Sequence, residues 1–234
     1  MKKKDASATP GEGTHVLAEP GLKEVPAKRS RGRQPDPNGR EKVLAAAAVA
    51  FMERGYSGTS IDDIANVLGV TKGYVYHHFT SKSELYFGVL EAGLAHIDQM
   101  VRPTFEGTPD LKGRLQLMAQ KHVMAILMNF PTSKVGVQGL EKSLMNATGV
   151  QARRELRRII RMRDEYEKMF TTTIGEGMQA GIFRESHLGL AVKGFLGALN
   201  WITVWFDPSR NTTAAQIEDM SRQLADFSIQ ALRR

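Results

Sequence analysis

Apolar residues recur along this chain at helical spacing and nowhere with the alternation of a strand. Val43, Leu44, Ala47, Ala50 and Phe51 share one helical face, and Gly55 is placed to end that helix. Ser60 with Asp63 reads as an acidic capping box, opening a short helix with Ile61, Ile64, Ala65 and Leu68 inward. Gly69 breaks it, and Thr71 caps a third short helix through Tyr76 or His77. Ser81 with Glu84 reads as a capping box for a longer helix to about Phe105, with Pro103, Gly107 and Pro109 marking a break. Asp110 caps a helix to about Phe130, ended by Pro131. Further helices are predicted over about 133–147, 150–180 (ended by Gly181), 187–206 and 213–232, the last opened by a Thr213–Gln216 box. The fold class is all-α: a three-helix unit over 39–85, then a larger helical unit over 86–234. The fourth helix runs from one into the other without a flexible linker.

Charge sharpens this picture. The 234 residues carry 32 Lys/Arg against 25 Asp/Glu, a net of +7. Residues 1–40 hold nine of those cations, five acids and five of the nine prolines, with almost no large apolar side chains. Such a stretch cannot bury enough surface to offset its ordering entropy, so 1–38 is expected to be a disordered basic tail. Its centre is Lys28-Arg-Ser-Arg-Gly-Arg33, of a kind that binds phosphates or a minor groove, or only solvates. Arg31-Gly-Arg-Gln-Pro35 resembles an AT-hook core, with Gln34 where a proline is expected.

The absence of cysteine excludes a disulfide scaffold, a thiolate zinc site and a Cys nucleophile. The six histidines form no i,i+4 pair, and HExxH, GxGxxG, Walker A and GxSxG patterns are missing. The chain is therefore expected to be no enzyme and to need neither metal nor cofactor. No stretch reaches the apolar run of roughly 18 residues that a membrane helix needs, and no apolar stretch follows the basic start. The expectation is a cytoplasmic protein with no membrane partner.

The informative segment is 59–79. It reads as helix, glycine turn, helix, with Ile61, Ile64, Leu68, Val70, Val75 and Phe79 inward. The outward face of the second helix carries Thr71, Lys72, Tyr74 and His77, and from Gly69 to Lys82 there are two lysines and no acid. A surface presented to a polyanion has this character. Residues 40–86 resemble the DNA-binding domain of TetR/AcrR-type bacterial regulators, through Ala46-Ala-Ala-Val-Ala-Phe51, Gly55-Tyr-Ser-Gly-Thr-Ser-Ile61, Asp63-Ile-Ala65, Leu68-Gly-Val-Thr-Lys-Gly73, Val75-Tyr-His-His-Phe79 and Ser81-Lys-Ser-Glu-Leu85. The resemblance implies a helix-turn-helix DNA-binding domain over 39–85 and a ligand-binding and dimerisation domain over 86–234. It implies that Thr59 and Ser60 meet phosphate, that Thr71, Lys72, Gly73 and Tyr74 enter the major groove, that Tyr76, His77 and His78 contact phosphate or base edges, and that Lys82 clamps the backbone. His78 has the alternative of packing beside Phe79. Lys72 is the best reader of guanine.

In the second unit Ile217, Met220, Leu224, Phe227 and Ala231 form a coiled-coil-like seam, and the preceding helix is apolar on all sides, as a fully buried helix is. The resemblance implies a homodimer through the last two helices, bound to a palindromic operator in double-stranded DNA and released by a small-molecule effector. Gly197-Ala-Leu-Asn-Trp-Ile-Thr-Val-Trp-Phe206, Arg163-Asp-Glu-Tyr166, Gly177 and Gly181-Ile-Phe-Arg184 resemble a branch regulating fatty-acid, steroid and aromatic-acid degradation, several members of which sense acyl-CoA thioesters. Candidate ligand residues are Arg163, Tyr166, Phe170, Asn200, Trp201 and Trp205. Asn200, alone in an apolar helix, needs a partner in the fold or on a ligand. Arg153, Arg154, Arg157, Arg158, Arg161 and Arg163 suit a phosphorylated ligand or a solvated, acid-paired face. The methionines line an adaptable pocket or fill core gaps. The alternative function is a non-specific architectural DNA binder.

Overall fold

The computed structural model describes residues 36–137 and 149–233, and every regular element among them is a helix. These are α1 (Gly39–Gly58), α2 (Ile61–Leu68), α3 (Lys72–His78), α4 (Lys82–Gly107), α5 (Leu111–Met128), α6 (over 130–137), α7 (Val150–Gln179), α8 (Leu188–Asn200), α9 (Ile202–Trp205) and α10 (Ala214–Gln230). The predicted tail up to residue 35 and residues 138–147 of the predicted sixth helix lie outside the described residues.

Local chemistry sets most of the boundaries. The Ser60–Asp63 box is reciprocal: Ser60 Oγ accepts from the Asp63 N–H at 3.1 Å, and the Asp63 carboxylate accepts from the Ser60 N–H at 2.8 Å. Thr213 and Gln216 open α10 in the same way. At Ser81 only half of the expected box forms. Ser81 Oγ accepts from the Glu84 N–H, but the Glu84 carboxylate reaches one residue further back, to the N–H and hydroxyl of Thr80. Two proline readings are corrected. Pro103 lies inside the last turns of α4, where a single backbone hydrogen bond is lost and the Asp98–Arg102 pair spans the site at 2.6 Å. Pro131 lies in the first turn of α6 instead of ending α5, because a missing N–H is harmless in a first turn.

From Pro37 onward the described residues form one compact unit holding two apolar clusters. The first joins α1, α2 and α3 to the opening turns of α4, and also takes Val135 of α6 and Leu156 and Ile159 of α7. The second joins Ile97 and Val101 of α4 to α5, the later turns of α7, α8, Ile202 and α10. Glycines let α4 come close on both sides. A Cβ at Gly88 would lie 3.1 Å from Leu44 and 3.2 Å from the Phe79 ring, and one at Gly93 would lie 3.1 Å from Thr132.

The helix expected to be buried all round is buried on one side only. Val192, Phe195, Leu196, Leu199 and Ile202 enter the core, while Leu190, Trp201, Val204 and Trp205 are more than half exposed or close to it. Its composition also corrects the expectation about membrane spans: Leu188–Trp205 is 18 residues of mean hydropathy 1.3. The segment is this apolar because it supplies two apolar surfaces, a core face and an open one.

Candidate functional site

The turn between α2 and α3 is built on Gly69, whose φ of 68° and ψ of 34° are left-handed. That conformation lets the Gly69 N–H donate to Asn66 and the Val70 N–H donate to Ala65, closing the end of α2. Thr71 then caps α3 through the Tyr74 N–H. Ile61, Ile64, Ala65, Val75 and Phe79 anchor the two helices inward. Thr71, Lys72, Gly73, Tyr76 and His77 are left exposed on α3, with Ser60 exposed at the start of α2.

The expected DNA contacts separate into three groups. Ser60, Thr71, Lys72, Gly73, Tyr76 and His77 lie open. Tyr74 and His78 are half-buried, with ring centroids 5.0 Å apart at 74°, and their tips lie within 2.7 Å of where a Cβ on Gly39 would stand. These two brace α3 against the start of α1. Thr59 and Lys82 are engaged within the fold. Thr59 is 2% exposed, and its hydroxyl donates to the Ala50 and Gly55 carbonyls at 3.1 and 2.7 Å. It ties off the broken end of α1, where Gly55 departs from helical geometry, and has no hydroxyl to offer a phosphate. The Lys82 ammonium donates to the Tyr56 and Thr59 carbonyls at 3.0 and 2.9 Å and lies over the Tyr56 ring at 4.5 Å. A cation there satisfies carbonyls left over at the end of a helix.

The pattern of charges shows a residue the sequence reading passed over. The exposed Lys72 ammonium is paired with Asp62 of α2 at 2.8 Å. The hydrogen bond that Lys72 donates to Asp62 holds the Lys72 pKa above its ordinary value. Asp63, next along, faces the other way. Ser60 hydrogen bonds, reinforced by Arg54 at 2.7 Å, hold its carboxyl below the ordinary aspartate range. Asp63 is the capping acid that its spacing from Ser60 predicts, whereas Asp62 looked like an ordinary first-turn residue until the crossing of α2 and α3 set Lys72 beside it.

In the larger cluster, Tyr166, Phe170 and Asn200 come together around a residue that was not a candidate, His122 of α5. Its Nδ1 lies 2.7 Å from Tyr166 Oη and its Nε2 lies 3.1 Å from Asn200 Oδ1. Phe170 closes the group, its ring 6.2 Å from the imidazole. His122 is 3% exposed, and burial lowers its pKa to about 4, with the Asn200 bond acting the other way. Burial raises that of Tyr166. A hydroxyl with one proton and an amide oxygen with none assign the tautomer: Tyr166 donates to Nδ1, and Nε2–H donates to Asn200. The signal for His122 was its place on the apolar stripe of Leu115, Met118, Ala119 and Ile126. Arg163, Trp201 and Trp205 do not join the group. Arg163 is exposed, and the two tryptophans are 62% and 51% exposed on the open face of α8 and α9. Phe227 of α10 is 70% exposed, and a cleft of about 300 Å³ beside it is lined by Arg184, His187, Leu190, Phe195 and Leu232. Of the arginine run, Arg158 pairs with Glu91 of α4, while Arg153, Arg154, Arg157 and Arg161 are exposed. Met118 and Met169 are core fillers, and Met128 is exposed. Among the described residues no group of His, Asp or Glu is arranged to hold a metal.

A capped helix, a left-handed glycine turn and a second helix with a donor-rich face define a helix-turn-helix protein. The family model for bacterial regulatory proteins of the tetR family matches residues 43–89, and that for the tetracyclin repressor-like C-terminal domain matches residues 108–229. The chain belongs to the TetR family and is a DNA-binding transcriptional regulator. It is similar to the HTH-type transcriptional repressor KstR2 of Mycobacterium tuberculosis, at 27% identity over 187 residues, covering 76% of this chain and 86% of that protein. It is also similar to the HTH-type transcriptional activator FasR of Mycolicibacterium smegmatis, at 38% identity over 88 residues, covering 38% of this chain and only 40% of FasR. The structure of KstR2 from M. tuberculosis aligns with a TM-score of 0.71 at 22% identity, covering 83% of this chain and 95% of that one. That of AibR in complex with isovaleryl coenzyme A and operator DNA aligns with a TM-score of 0.68 at 21% identity, covering 83% of this chain and 97% of that one. At these identities the two structures show a shared fold. These relatives are regulators, and no catalytic family is indicated.

Proposed function

We propose that the chain is a homodimeric repressor that reads a palindromic operator with α3 and releases it when an acyl-CoA thioester binds. The observation that carries this reading is the open face of α3. Thr71, Lys72, Tyr76 and His77 project donors there, and Gly73, lacking a Cβ, allows the backbone to come close. Hydroxyl, ammonium and imidazole groups position a protein on phosphates, and Lys72 suits the O6 and N7 acceptors of guanine. Residues 39–85 take the DNA-reading role and 86–234 the sensing and pairing role.

The dimer is supported by the apolar band of Leu190, Trp201, Val204, Trp205 and Phe227, larger than scattered exposed residues account for. Pairing α8 and α10 with their symmetry mates covers it in a four-helix interface. One helix-turn-helix alone makes too few base contacts for useful specificity. Repression follows the likeness to KstR2, which spans most of both chains; the likeness to the activator FasR spans less than half of either. The acyl-CoA effector follows the likeness to AibR, with Tyr166, Phe170 and Asn200 as candidate contacts and the exposed arginines of α7 as phosphate donors. Action on DNA places the work in the cytoplasm. Release requires the effector to bind the DNA-free form more tightly, since equal affinity shifts nothing.

The test is binding of the purified protein to the duplex upstream of its own gene, with and without a panel of acyl-CoA thioesters. Specific binding released by one thioester is the expected result. Specific binding indifferent to all of them discards the effector, and no preference over random DNA favours the architectural alternative. A reporter driven by the same duplex reads the sign of regulation.

A further inference from the structure

An acid on a DNA-reading face is a liability, and Asp62 is exposed beside this one. The neighbouring acids are engaged elsewhere, Asp63 by Ser60 and Arg54 and Glu84 by Thr80. The cation beside Asp62 is Lys72, the first residue of the reading helix, at 2.8 Å. An ammonium has three donors and no fixed fork. One goes to Asp62 and two remain. A guanine edge offers two acceptors, O6 and N7, and can take those two with the Asp62 bond intact. A phosphate gains little from a lysine whose charge is already neutralised. To form a full ion pair Lys72 has to leave Asp62, and the abandoned carboxylate then faces the DNA backbone.

We infer that Asp62 is a specificity-determining positioning residue: it directs Lys72 to a base edge and weakens its contribution to sequence-independent binding. The inference rests on α3 entering the major groove. Asp62→Asn keeps the side chain's shape and removes its charge at an exposed site.

The probes are a duplex selected by the wild-type protein from a random library, and an unselected random duplex. Each is titrated with full-length protein at several salt concentrations. With Asp62→Asn, binding to the random duplex is expected to tighten about tenfold, its log–log salt slope to steepen by about 0.9 (one more phosphate contact), and the ratio of selected to random affinity to fall. Adding Lys72→Ala is expected to abolish the gain, because the new contact belongs to Lys72. Unchanged random binding in Asp62→Asn overturns the inference. So does an equal tightening on both duplexes, and so does a gain that survives Lys72→Ala, since each marks a general charge effect. If no duplex is selected from the library, operator reading itself fails. The random-duplex slopes still show whether Asp62 restrains Lys72.

Discussion

The buried imidazole of His122 makes a prediction with a definite sign and size. In the folded chain it is neutral, its pKa held by burial at about 4, against about 6.5 for the free side chain. Between those values the unfolded chain takes up a proton that the folded chain refuses. The unfolded state is therefore the better proton binder, and folding stability falls as pH falls through the window from 6.5 toward 4. One pKa unit is worth about 1.4 kcal/mol, so acidification from pH 7 to pH 5 removes about 2 kcal/mol through this one group. The assay is urea unfolding at pH 7 and pH 5 at fixed protein concentration, comparing wild type with His122→Gln. The five other histidines are common to both proteins, so the difference between the two pH dependences isolates His122. The wild type is expected to lose about 2 kcal/mol more than the variant. Should the variant fail to fold, the His122 ring resonance of the wild type, followed by NMR, is expected to titrate near 4. Parallel pH profiles, or a ring midpoint at the ordinary histidine value, would refute the reasoning.

Lys82→Met is expected to lower stability by about 1–2 kcal/mol, because two carbonyls at the end of α1 lose their charged donor, while the salt slope of DNA binding stays unchanged; a flatter slope would restore Lys82 as a phosphate contact. Gly177→Ala places a Cβ 2.2 Å from the Phe183 ring, so thermal denaturation should show an overpacking loss of about 1–3 kcal/mol. Phe227→Glu combined with Trp205→Glu puts two carboxylates on the open apolar face, and analytical ultracentrifugation should report a monomer that remains helical by circular dichroism. A dimer that persists would place the pairing surface elsewhere.

Helix positions were legible where local chemistry decides them. Ser60, Thr71, Ser81, Asp110 and Thr213 all cap as their spacing suggested, because a cap is a contract between residues three apart. Legibility failed wherever the deciding partner is distant in sequence. Thr59 and Lys82 looked like DNA contacts, yet both serve carbonyls at the end of α1, and Lys82 does so across 23 and 26 residues. Asp63 was legible as a capping acid, but the partner of Asp62, Lys72, comes from ten residues on and is set only when α3 crosses α2. The apolar stripe signals that His122 is buried but not what it binds, since the fold supplies its partners from 44 and 78 residues away. The residues legible as a group, Thr71, Lys72, Gly73, Tyr76 and His77, are those whose exposure follows from the spacing of one short helix.

The two apolar clusters meet through α4, which bears on how an effector signal can reach DNA. The start of α4 lies against Leu44 and Phe79 at Gly88, and a turn and a half later it lies against Thr132 at Gly93. These approaches hold α4 by contact with the DNA-reading helices on one side and with α6 on the other. A close-packed contact of this kind passes on a displacement instead of absorbing it. Met52, at the far end of α1, touches both clusters and adds a second route between them. A shift in the α5–α7–α8 group around His122 would therefore be carried along α4 to Phe79 and the base of α3. If this is the path, enlarging Gly88 to alanine should alter effector-driven release more than DNA affinity in the absence of effector, because the added Cβ meets side chains at the coupling point and lies away from the DNA face. Fluorescence titration of the selected duplex, with and without the thioester proposed to release it, measures both quantities in one protein. Equal changes in the two would mean that Gly88 merely supports the helix-turn-helix and that coupling runs through other contacts.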